Sequence, residues 1–492
     1  MFNQNAFWAK FIRKESPSNY QKLDKRLDGN ALGTKELTAI GVGTVVGAAI
    51  FIIPGVVAAN YAGPAVAISF IIAAIVAGLS ALAYAEFSSA LPFAGSAYTW
   101  SNIIYGEFFG WVAGWALLAE YLIALAYSAS AWSAYIRGFL STFGITIPKA
   151  LTSTFAPKAG TYIDLFAIIA VLLVWFLLSR GIRDTAKVEN WLVVGKIIVI
   201  ILFIAVGMTA IHPDNFHPFI PKNEGGTRFG WSGIVAGASQ IFFAYIGFDM
   251  MTSNAAEAKN AQKTVPRAIF ATLGLATALF IGASLVMVGM FKYTKYATIT
   301  DPAAWALRQT GHVFVANLLS IVALVGIFSM LIGVSLGGSR LMYALGRDGL
   351  LPKQMGQVNK AGTPHIALSV LAIVSIILGA IFPITMLTNL VSAGTLIAFI
   401  MISFGVLILR RRKDIDHSGF KMPLYPVLPV IAGLASMMLF WQLNVDAKIL
   451  AAGWFFFGVI IYVVYGIRHS IKSNNVQKSS SSVRKQAPLV EE

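Results

Sequence analysis

Three glycines interrupt an apolar run that reads Gly41-Val42-Gly43-Thr44-Val45-Val46-Gly47-Ala48-Ala49-Ile50-Phe51. A second run, five apolar spans later, turns polar halfway and reads Phe242-Phe243-Ala244-Tyr245-Ile246-Gly247-Phe248-Asp249-Met250-Met251-Thr252-Ser253-Asn254. A single glycine in a membrane helix usually serves close helix packing. Two interruptions at matching positions of two halves instead predict broken helices that form the binding site of a transporter.

The composition is typical of a polytopic membrane protein. Of the 492 residues, 57% are hydrophobic and 12% are charged, whereas soluble domains carry about 25% charged residues. Cysteine is absent, which excludes disulfides and thiol chemistry. The six histidines lack the clustering of a metal site, so no metal is expected. The first 35 residues are polar and basic, so we expect no cleavable signal.

Twelve apolar segments are long enough, at roughly 20 residues each, to cross a bilayer. Their approximate bounds are 36–59, 64–88, 106–136, 161–179, 190–211, 232–256, 268–290, 313–339, 364–382, 388–409, 427–444 and 450–467. With both termini in the cytoplasm, most of the 37 basic residues fall in cytoplasmic segments, as the positive-inside rule requires. The net charge of +16 therefore reports the topology of a multi-pass cell-membrane protein and an attraction to anionic membrane lipids, and we expect no nucleic-acid partner.

We expect one membrane domain between two accessory ends. The predicted divisions are a cytoplasmic arm at 1–31, an integral membrane domain at 32–470, and a disordered cytoplasmic tail at 471–492. Within the membrane domain we expect inverted repeats at 36–211 and 232–409, followed by extra helices at 427–467. The segment 88–105 is cytoplasmic in this topology but carries no charge, and is expected to be a loop packed against the bundle. The sequence has no phosphate-binding loop, which argues against ATP-driven pumping.

A break in a membrane helix frees backbone polar groups of opposite kinds. Amides at a helix start attract an anion, and carbonyls at a helix end attract a cation. A free amino acid carries both charges, so it fits such a site. We expect breaks at Gly47 and Gly247. We assign the carboxylate to the amides of Ala48, Ala49 and Ile50. We assign the ammonium to the carbonyls of Val45, Phe243, Ala244 and Ile246.

Lys196 is a charged residue inside the apolar run from Trp191 to Gly207. A charge within a membrane span costs free energy and by default marks transport or proton work. The simpler alternative is a lysine whose stem reaches back to water at the cytoplasmic end of the span. The position favours the functional interpretation.

Several motifs give the chain a resemblance to a known family. They are Phe-Ala-Tyr-Ile-Gly-Phe-Asp at 243–249 with Glu-Ala-Lys-Asn at 257–260, the stretch from Ser-Arg-Leu-Met-Tyr to Gly-Leu-Leu-Pro at 339–352, and 406–412 with 420–424. Through these motifs the chain resembles the amino acid–polyamine–organocation superfamily, in its cationic amino acid transporter branch. Residues 83–86, 92–98 and 114–121 make it most similar, within that branch, to bacterial branched-chain amino acid permeases.

The resemblance implies an all-α, LeuT-type fold with twelve transmembrane helices. Five-plus-five inverted repeats would contain broken helices 1 and 6, with two extra helices at the C-terminal end. It also implies proton-coupled uptake with no cofactor, driven by the proton gradient. Lys196 matches a lysine that stands where sodium-coupled relatives hold a cation, and when protonated it would bridge carbonyls near Gly43 to Ser329. In one departure, Ala48 and Ala49 follow Gly47 where many relatives have a hydroxyl residue and a glycine, so the carboxylate depends more on amides.

The expected specificity pocket is largely apolar and comprises Glu120, Phe248, Val334 and Ser335. Phe243 resembles the aromatic gate that the family places over the substrate. A cationic substrate would need an acidic partner, and Glu120 is the one obvious candidate, so we expect leucine, isoleucine, valine or methionine. Glu120 equally fits a structural hydrogen bond to a neighbouring span.

The leading interpretation is a monomeric proton symporter of amino acids. Amino acid exchange, a cationic substrate and a non-transporting sensor are the alternatives. An enzyme is not expected, because the apolar spans carry neither a nucleophile–base pair nor a metal cluster.

Overall fold

The computed structural model describes Lys14 and residues 33–93, 95–180, 185–253, 258–359 and 362–470. The predicted arm at 1–31, Lys14 apart, and the predicted tail at 471–492 lie outside the described residues. The described parts are helical and contain no strand. The helices are α1 Thr34–Val45, α2 Ala49–Val57, α3 Val66–Ala90, α4 Ser96–Ile104, α5 Glu107–Ser141, α6 Leu165–Ser179, α7 Thr185–Met208, α8 Gly230–Ile241, α9 Phe248–Ser253, α10 Ala261–Met290, α11 Pro302–Gln309, α12 Val313–Arg347, α13 His365–Ile381, α14 Ile384–Leu409, α15 Val427–Trp441, α16 Val445–Ile461 and α17 Ile467–His469.

Six helical stretches of the described chain are long and apolar enough to cross a membrane, namely Ala49–Ala90, Glu107–Ser141, Ala261–Met290, Val313–Arg347, Ile384–Leu409 and Val445–His469. Shorter apolar helices accompany them, at Leu165–Ser179, Val193–Met208, His365–Ile381 and Val427–Trp441. Large apolar side chains such as Trp441 and Phe456 are exposed on α15 and α16. A surface of this kind is stable in lipid, and the fold is that of an all-helical membrane protein.

Helix bounds differ from the predicted spans where polar residues continue a helix. The last turns of α12 contain Arg340 and Arg347, residues that a hydropathy criterion places after the span. The first turn of α16 contains Asp446 and Lys448 and starts five residues before the predicted bound. The uncharged segment at 88–105 contains α4, and all nine α4 residues are buried. The segment packs against the bundle as expected, but as a helix over Ser96–Ile104 and not as the expected loop.

The long helix α5 is the centre of the packing, with α12 and α14 along its sides and α4, α6 and α13 around it. Small residues allow these close approaches. A Cβ atom on Gly394 of α14 would lie 2.9 Å from the Ala116 carbonyl oxygen of α5, and one on Gly338 of α12 would lie 3.0 Å from the Tyr121 Cβ atom. Such spacing holds the surrounding helices at fixed positions around α5.

A buried ion pair joins the ends of α3 and α14 on the predicted cytoplasmic side. Arg410 Nε donates to Glu86 Oε1 at 2.7 Å, and a second guanidinium nitrogen donates to Oε2 at 2.8 Å. The Met422 amide also donates to Glu86 Oε2 at 2.7 Å, so the segment before α15 is held by the same carboxylate. Glu86 is 2% exposed. Removing one partner from such a pair leaves a buried charge without compensation.

We predict that Glu86→Ala destabilises the protein by about 3–5 kcal/mol, because Arg410 and the Met422 amide both lose their acceptor. The measurement is the melting temperature of the purified protein in detergent. Asp414→Ala is the matched control, since Asp414 pairs with Arg412 at 2.6 Å but its side chain is 53% exposed. The control should cost less than about 1 kcal/mol. Equal melting temperatures for the two variants would contradict a structural role for the Glu86 pair.

Candidate functional site at the two helix breaks

The first break separates α1 from α2. The α1 helix ends at Val45, where the Val46 amide donates to the Val42 carbonyl at 2.9 Å, and α2 begins at Ala49 after a bend. Phe51 is the next residue whose amide donates locally, to the Ala48 carbonyl at 3.2 Å. The amides of Ala48, Ala49 and Ile50 therefore stand at a helix start, where intrahelical acceptors do not exist. All three residues are buried.

The second break separates α8 from α9. A 3-10 turn at Phe242–Tyr245 follows α8, and Ile246 is extended with ψ of 141°. Gly247 has φ of +126°, a conformation that strongly favours glycine. The Gly247 amide donates to Asp249 Oδ1 at 3.1 Å, so this carboxylate caps an amide exposed at the start of α9. The Phe243 carbonyl accepts the Ile246 amide at 3.1 Å, so one lone pair of this predicted ammonium ligand is used within the turn.

The two breaks touch each other. Thr44 Oγ1 lies 3.4 Å from the Gly247 carbonyl oxygen, while its proton has closer acceptors in its own helix, the carbonyls of Ile40 at 2.9 Å and Gly41 at 3.0 Å. A Cβ atom on Gly247 would lie 2.9 Å from Thr44 Cβ and 3.1 Å from the Val45 amide nitrogen. The absence of a side chain at 247 is therefore required twice, by the backbone conformation and by the approach of α1.

Met330 of α12 fills the space beside the first break. A Cβ atom on Gly47 would lie 2.3 Å from the Met330 sulfur, and Ser128 Oγ donates to the same sulfur at 3.5 Å. At the second break, the Tyr127 ring contacts the Phe243 ring edge-to-face with centroids 4.5 Å apart. The adjacent residues Tyr127 and Ser128 of α5 thus lie against both breaks.

Sequence reasoning missed three residues of this centre, namely Met330, Tyr127 and Thr44. A signal for Met330 was present, because it lies four residues before Val334 and so shares its face of α12. The side chains of α5 gave no comparable signal, since most of that helix is apolar or aromatic on every face.

The side chain of Lys196, on α7, reaches the last turn of α1. The Lys196 ammonium donates to the Gly43 carbonyl at 2.9 Å, and the residue is 1% exposed. The lysine stem packs on α12 at Gly326, where a Cβ atom would lie 2.9 Å from Lys196 Cε. Ser329, the predicted second partner, stands three residues further along α12 and is half-buried. A lysine that snorkels to water would be exposed at its end, so burial of Lys196 argues against that alternative.

The predicted specificity residues lie on three helices and stay a prediction as a pocket. Glu120 and Phe248 both face α14, where Thr395 Oγ1 donates to Glu120 Oε2 at 2.8 Å and the rings of Phe248 and Phe399 lie 5.2 Å apart. Val334 and Ser335 are buried on α12. The α12 residue that contacts Gly47 is Met330, one turn earlier. The structural interpretation of Glu120, a hydrogen bond to a neighbouring helix, therefore matches the contact of its Oε2 atom.

The centre formed by the two breaks is enclosed by the bundle in this structure. The predicted substrate-binding residues are all buried, namely Val45, Gly47, Ala48, Ala49, Ile50, Phe243, Ala244, Ile246 and Gly247. Within the described ranges no three His, Asp or Glu side chains converge on a point where a metal would bind. The chemistry available at the breaks is main-chain hydrogen bonding inside an apolar wall.

We predict that Gly247→Ala reduces transport by more than about tenfold, because a side chain at this φ costs about 1–3 kcal/mol and pushes α1 away. Transport per folded molecule in proteoliposomes is the measurement. Gly274→Ala is the control, since its Cβ atom would meet nothing within 4 Å on an exposed face of α10. Alanine is favoured over glycine in a helix by about 1 kcal/mol, so this control should transport normally. Normal transport by Gly247→Ala would show that the backbone conformation at Gly247 is not needed for transport.

Comparison with known proteins identifies the family. Residues 32–468 match the family described as amino acid permease. The branched-chain amino acid permease BcaP of Lactococcus lactis is 46% identical over 94% of this chain and 100% of its own length. The methylthioribose transporter of Bacillus subtilis is 37% identical over 89% of this chain and 94% of its own length. The branched-chain amino acid permease BcaP of Bacillus subtilis is 36% identical over 89% of this chain and 93% of its own length. The chain therefore belongs to the amino acid permease family, and it is a multi-pass membrane protein that transports amino acids rather than an enzyme.

Proposed function

We propose that this protein takes up neutral aliphatic amino acids, namely leucine, isoleucine, valine and methionine, across the cell membrane by proton symport. The observation that carries the proposal is the contact between the two breaks, which brings the amide end of α2 and the turn after α8 to one buried, apolar centre. The carboxylate would bind the amides of Ala48, Ala49 and Ile50. The ammonium would bind carbonyls of Val45, Ala244 and Ile246, with Phe243 offering its second lone pair.

The architecture that fits this proposal is a LeuT-type arrangement of twelve spans. One repeat would comprise α1 to α7 and the other α8 to α14, so that each begins with a broken helix. The helices α15 and α16 would be the two extra spans. We expect a monomer with both termini in the cytoplasm, and no cofactor besides the proton gradient.

The substrate assignment rests on the wall around the breaks. Phe243, Ile246 and Met330 are apolar and buried there, and the acid nearest in sequence, Asp249, is engaged in capping Gly247. The relatives named as branched-chain permeases agree with an aliphatic side chain. Hydrophobic pockets separate neighbouring aliphatic substrates by only about 1–3 kcal/mol, so the specificity should be broad.

A cationic amino acid is the second candidate. Glu120 is 0% exposed, and its Oε1 atom has no hydrogen-bond partner among the residues that the structure describes. A lysine or arginine side chain would supply one. A sugar such as methylthioribose, the substrate named for one relative, lacks both charges that the breaks would bind.

Proton coupling would act through the last turn of α1. The Lys196 ammonium holds the Gly43 carbonyl, one residue before Thr44, which contacts the second break. Loss of the proton removes the charge from this hydrogen bond and weakens it. The α1 helix would then be freer to move away from α7 and α12, which favours release of substrate to the inside.

The deciding experiment is uptake into proteoliposomes. Competition by each of the twenty amino acids and by methylthioribose against labelled leucine identifies the substrate class. Leucine should accumulate in empty vesicles along an inward proton gradient with the membrane potential held at zero. Uptake that requires preloaded amino acid would instead establish an exchanger, and binding without flux would establish a sensor.

We predict that Lys196→Ala keeps leucine binding and counterflow but loses proton-driven accumulation. A one-unit pH gradient gives the wild type up to about tenfold accumulation for one coupled proton, and the variant should stay near onefold. Lys448→Ala is the control, because Lys448 is exposed on α16 and donates to the Trp441 carbonyl. Full accumulation by Lys196→Ala would show that the proton is coupled elsewhere.

A further inference from the structure

Tyr127 stands at the level of the breaks with a hydroxyl that the fold does not use. Its side chain is fully buried on α5, and its hydroxyl has no hydrogen-bond partner among the residues that the structure describes. Two other buried tyrosines of the bundle are paired. The hydroxyl of Tyr135 donates to the Phe51 carbonyl at 3.1 Å, and that of Tyr245 donates to the Phe70 carbonyl at 3.1 Å.

An unpaired hydroxyl in this position is costly. A buried donor without an acceptor costs about 1–3 kcal/mol, and phenylalanine would fill nearly the same volume without that cost. The Tyr127 ring is held against Phe243, so the side chain is fixed beside the second break. The hydroxyl therefore suits an acceptor that arrives and leaves with the transport cycle.

The side of the breaks on which Tyr127 lies indicates which end of the substrate it meets. The half-helix α2 contacts α8 and the turn Phe242–Tyr245 that follows it, whereas α1 contacts α9. Tyr127 contacts Phe243, at the end of the α8 half, and so lies on the side that carries the α2 amides. Tyr84 also has an unpartnered hydroxyl, but its ring contacts Phe248, at the start of the α9 half.

The carboxylate needs such a donor in this protein. Ala48 and Ala49 supply amides but no side-chain hydroxyl, and a carboxylate accepts about four hydrogen bonds. The neighbouring hydroxyl of Ser128 is occupied with the Met330 sulfur. A phenol that donates to a carboxylate forms a charge-assisted bond, which is stronger than a neutral one.

We propose that the Tyr127 hydroxyl is a substrate ligand that donates a hydrogen bond to the carboxylate of the transported amino acid. This inference rests on the proposed function and names a specificity-determining residue for it. The residue would favour amino acids over the corresponding amides and esters, which lack the charged acceptor.

The test compares leucine with leucinamide, in which a neutral amide replaces the carboxylate, as competitors of labelled leucine uptake. Tyr127→Phe should lower the apparent affinity for leucine by about tenfold and that for leucinamide by less than about twofold, because the lost hydrogen bond is made to the charged oxygen. Tyr135→Phe is the matched control, since it is the same substitution on the same helix at a paired hydroxyl. Its ratio of leucine to leucinamide affinity should equal that of the wild type.

A second readout needs no substrate. The melting temperature of the substrate-free protein should be unchanged or raised in Tyr127→Phe and lowered in Tyr135→Phe, which loses the bond to Phe51. A lowered melting temperature in Tyr127→Phe would show a structural hydrogen bond and overturn the inference. An equal loss of affinity for leucine and leucinamide, or an unchanged affinity for leucine, would also overturn the inference while leaving the proposed function intact. A wild-type protein that binds no amino acid would refute both.

Discussion

The structure depends on one constraint: inside a membrane every backbone amide and carbonyl must be paired, unless protein or ligand takes the place of the helix. In the part of the chain that the structure describes, the bundle meets this constraint along its long helices and departs from it at the two breaks. There the chain is surrounded by α5, α12 and the partner break, so the freed groups face protein. The contact between Thr44 and Gly247 brings the two breaks together.

The last turn of α1 links the substrate site to the buried charge. Gly43 receives the Lys196 ammonium, and the next residue, Thr44, contacts the second break. In the proposed transport cycle, a movement of Gly43 would displace Thr44, and a movement of Thr44 would displace Gly43, because one peptide unit joins them. Under the proposed function, the arrangement would couple proton and substrate over this short distance, without a chain of intervening side chains.

Much of the fold was predictable from the sequence, because lipid imposes apolar length and because charge is confined to the ends of spans. The apolar helices, the breaks at Gly47 and Gly247, and the burial of the segment that contains α4 follow from these rules, whereas the number of twelve spans stays a prediction. The helix bounds were less predictable, since Arg340 and Asp446 continue helices that a hydropathy criterion ends. The surroundings of the first break were the least predictable. Met330, whose sulfur a Cβ atom on Gly47 would meet, was not among the predicted residues, and the lining of the pocket by Val334 and Ser335 stays a prediction.

The sequence by itself determined that the chain spans a membrane, where its helices break, and that Lys196 is the unusual charge among them. These properties are local: each depends on a residue and its near neighbours along the chain. Only the tertiary structure decided what each break contacts, which tyrosines find acceptors, and that Glu120 bonds to Thr395. These properties depend on helix rotation and on approaches between segments hundreds of residues apart, and no spacing along an almost uniformly apolar helix records them.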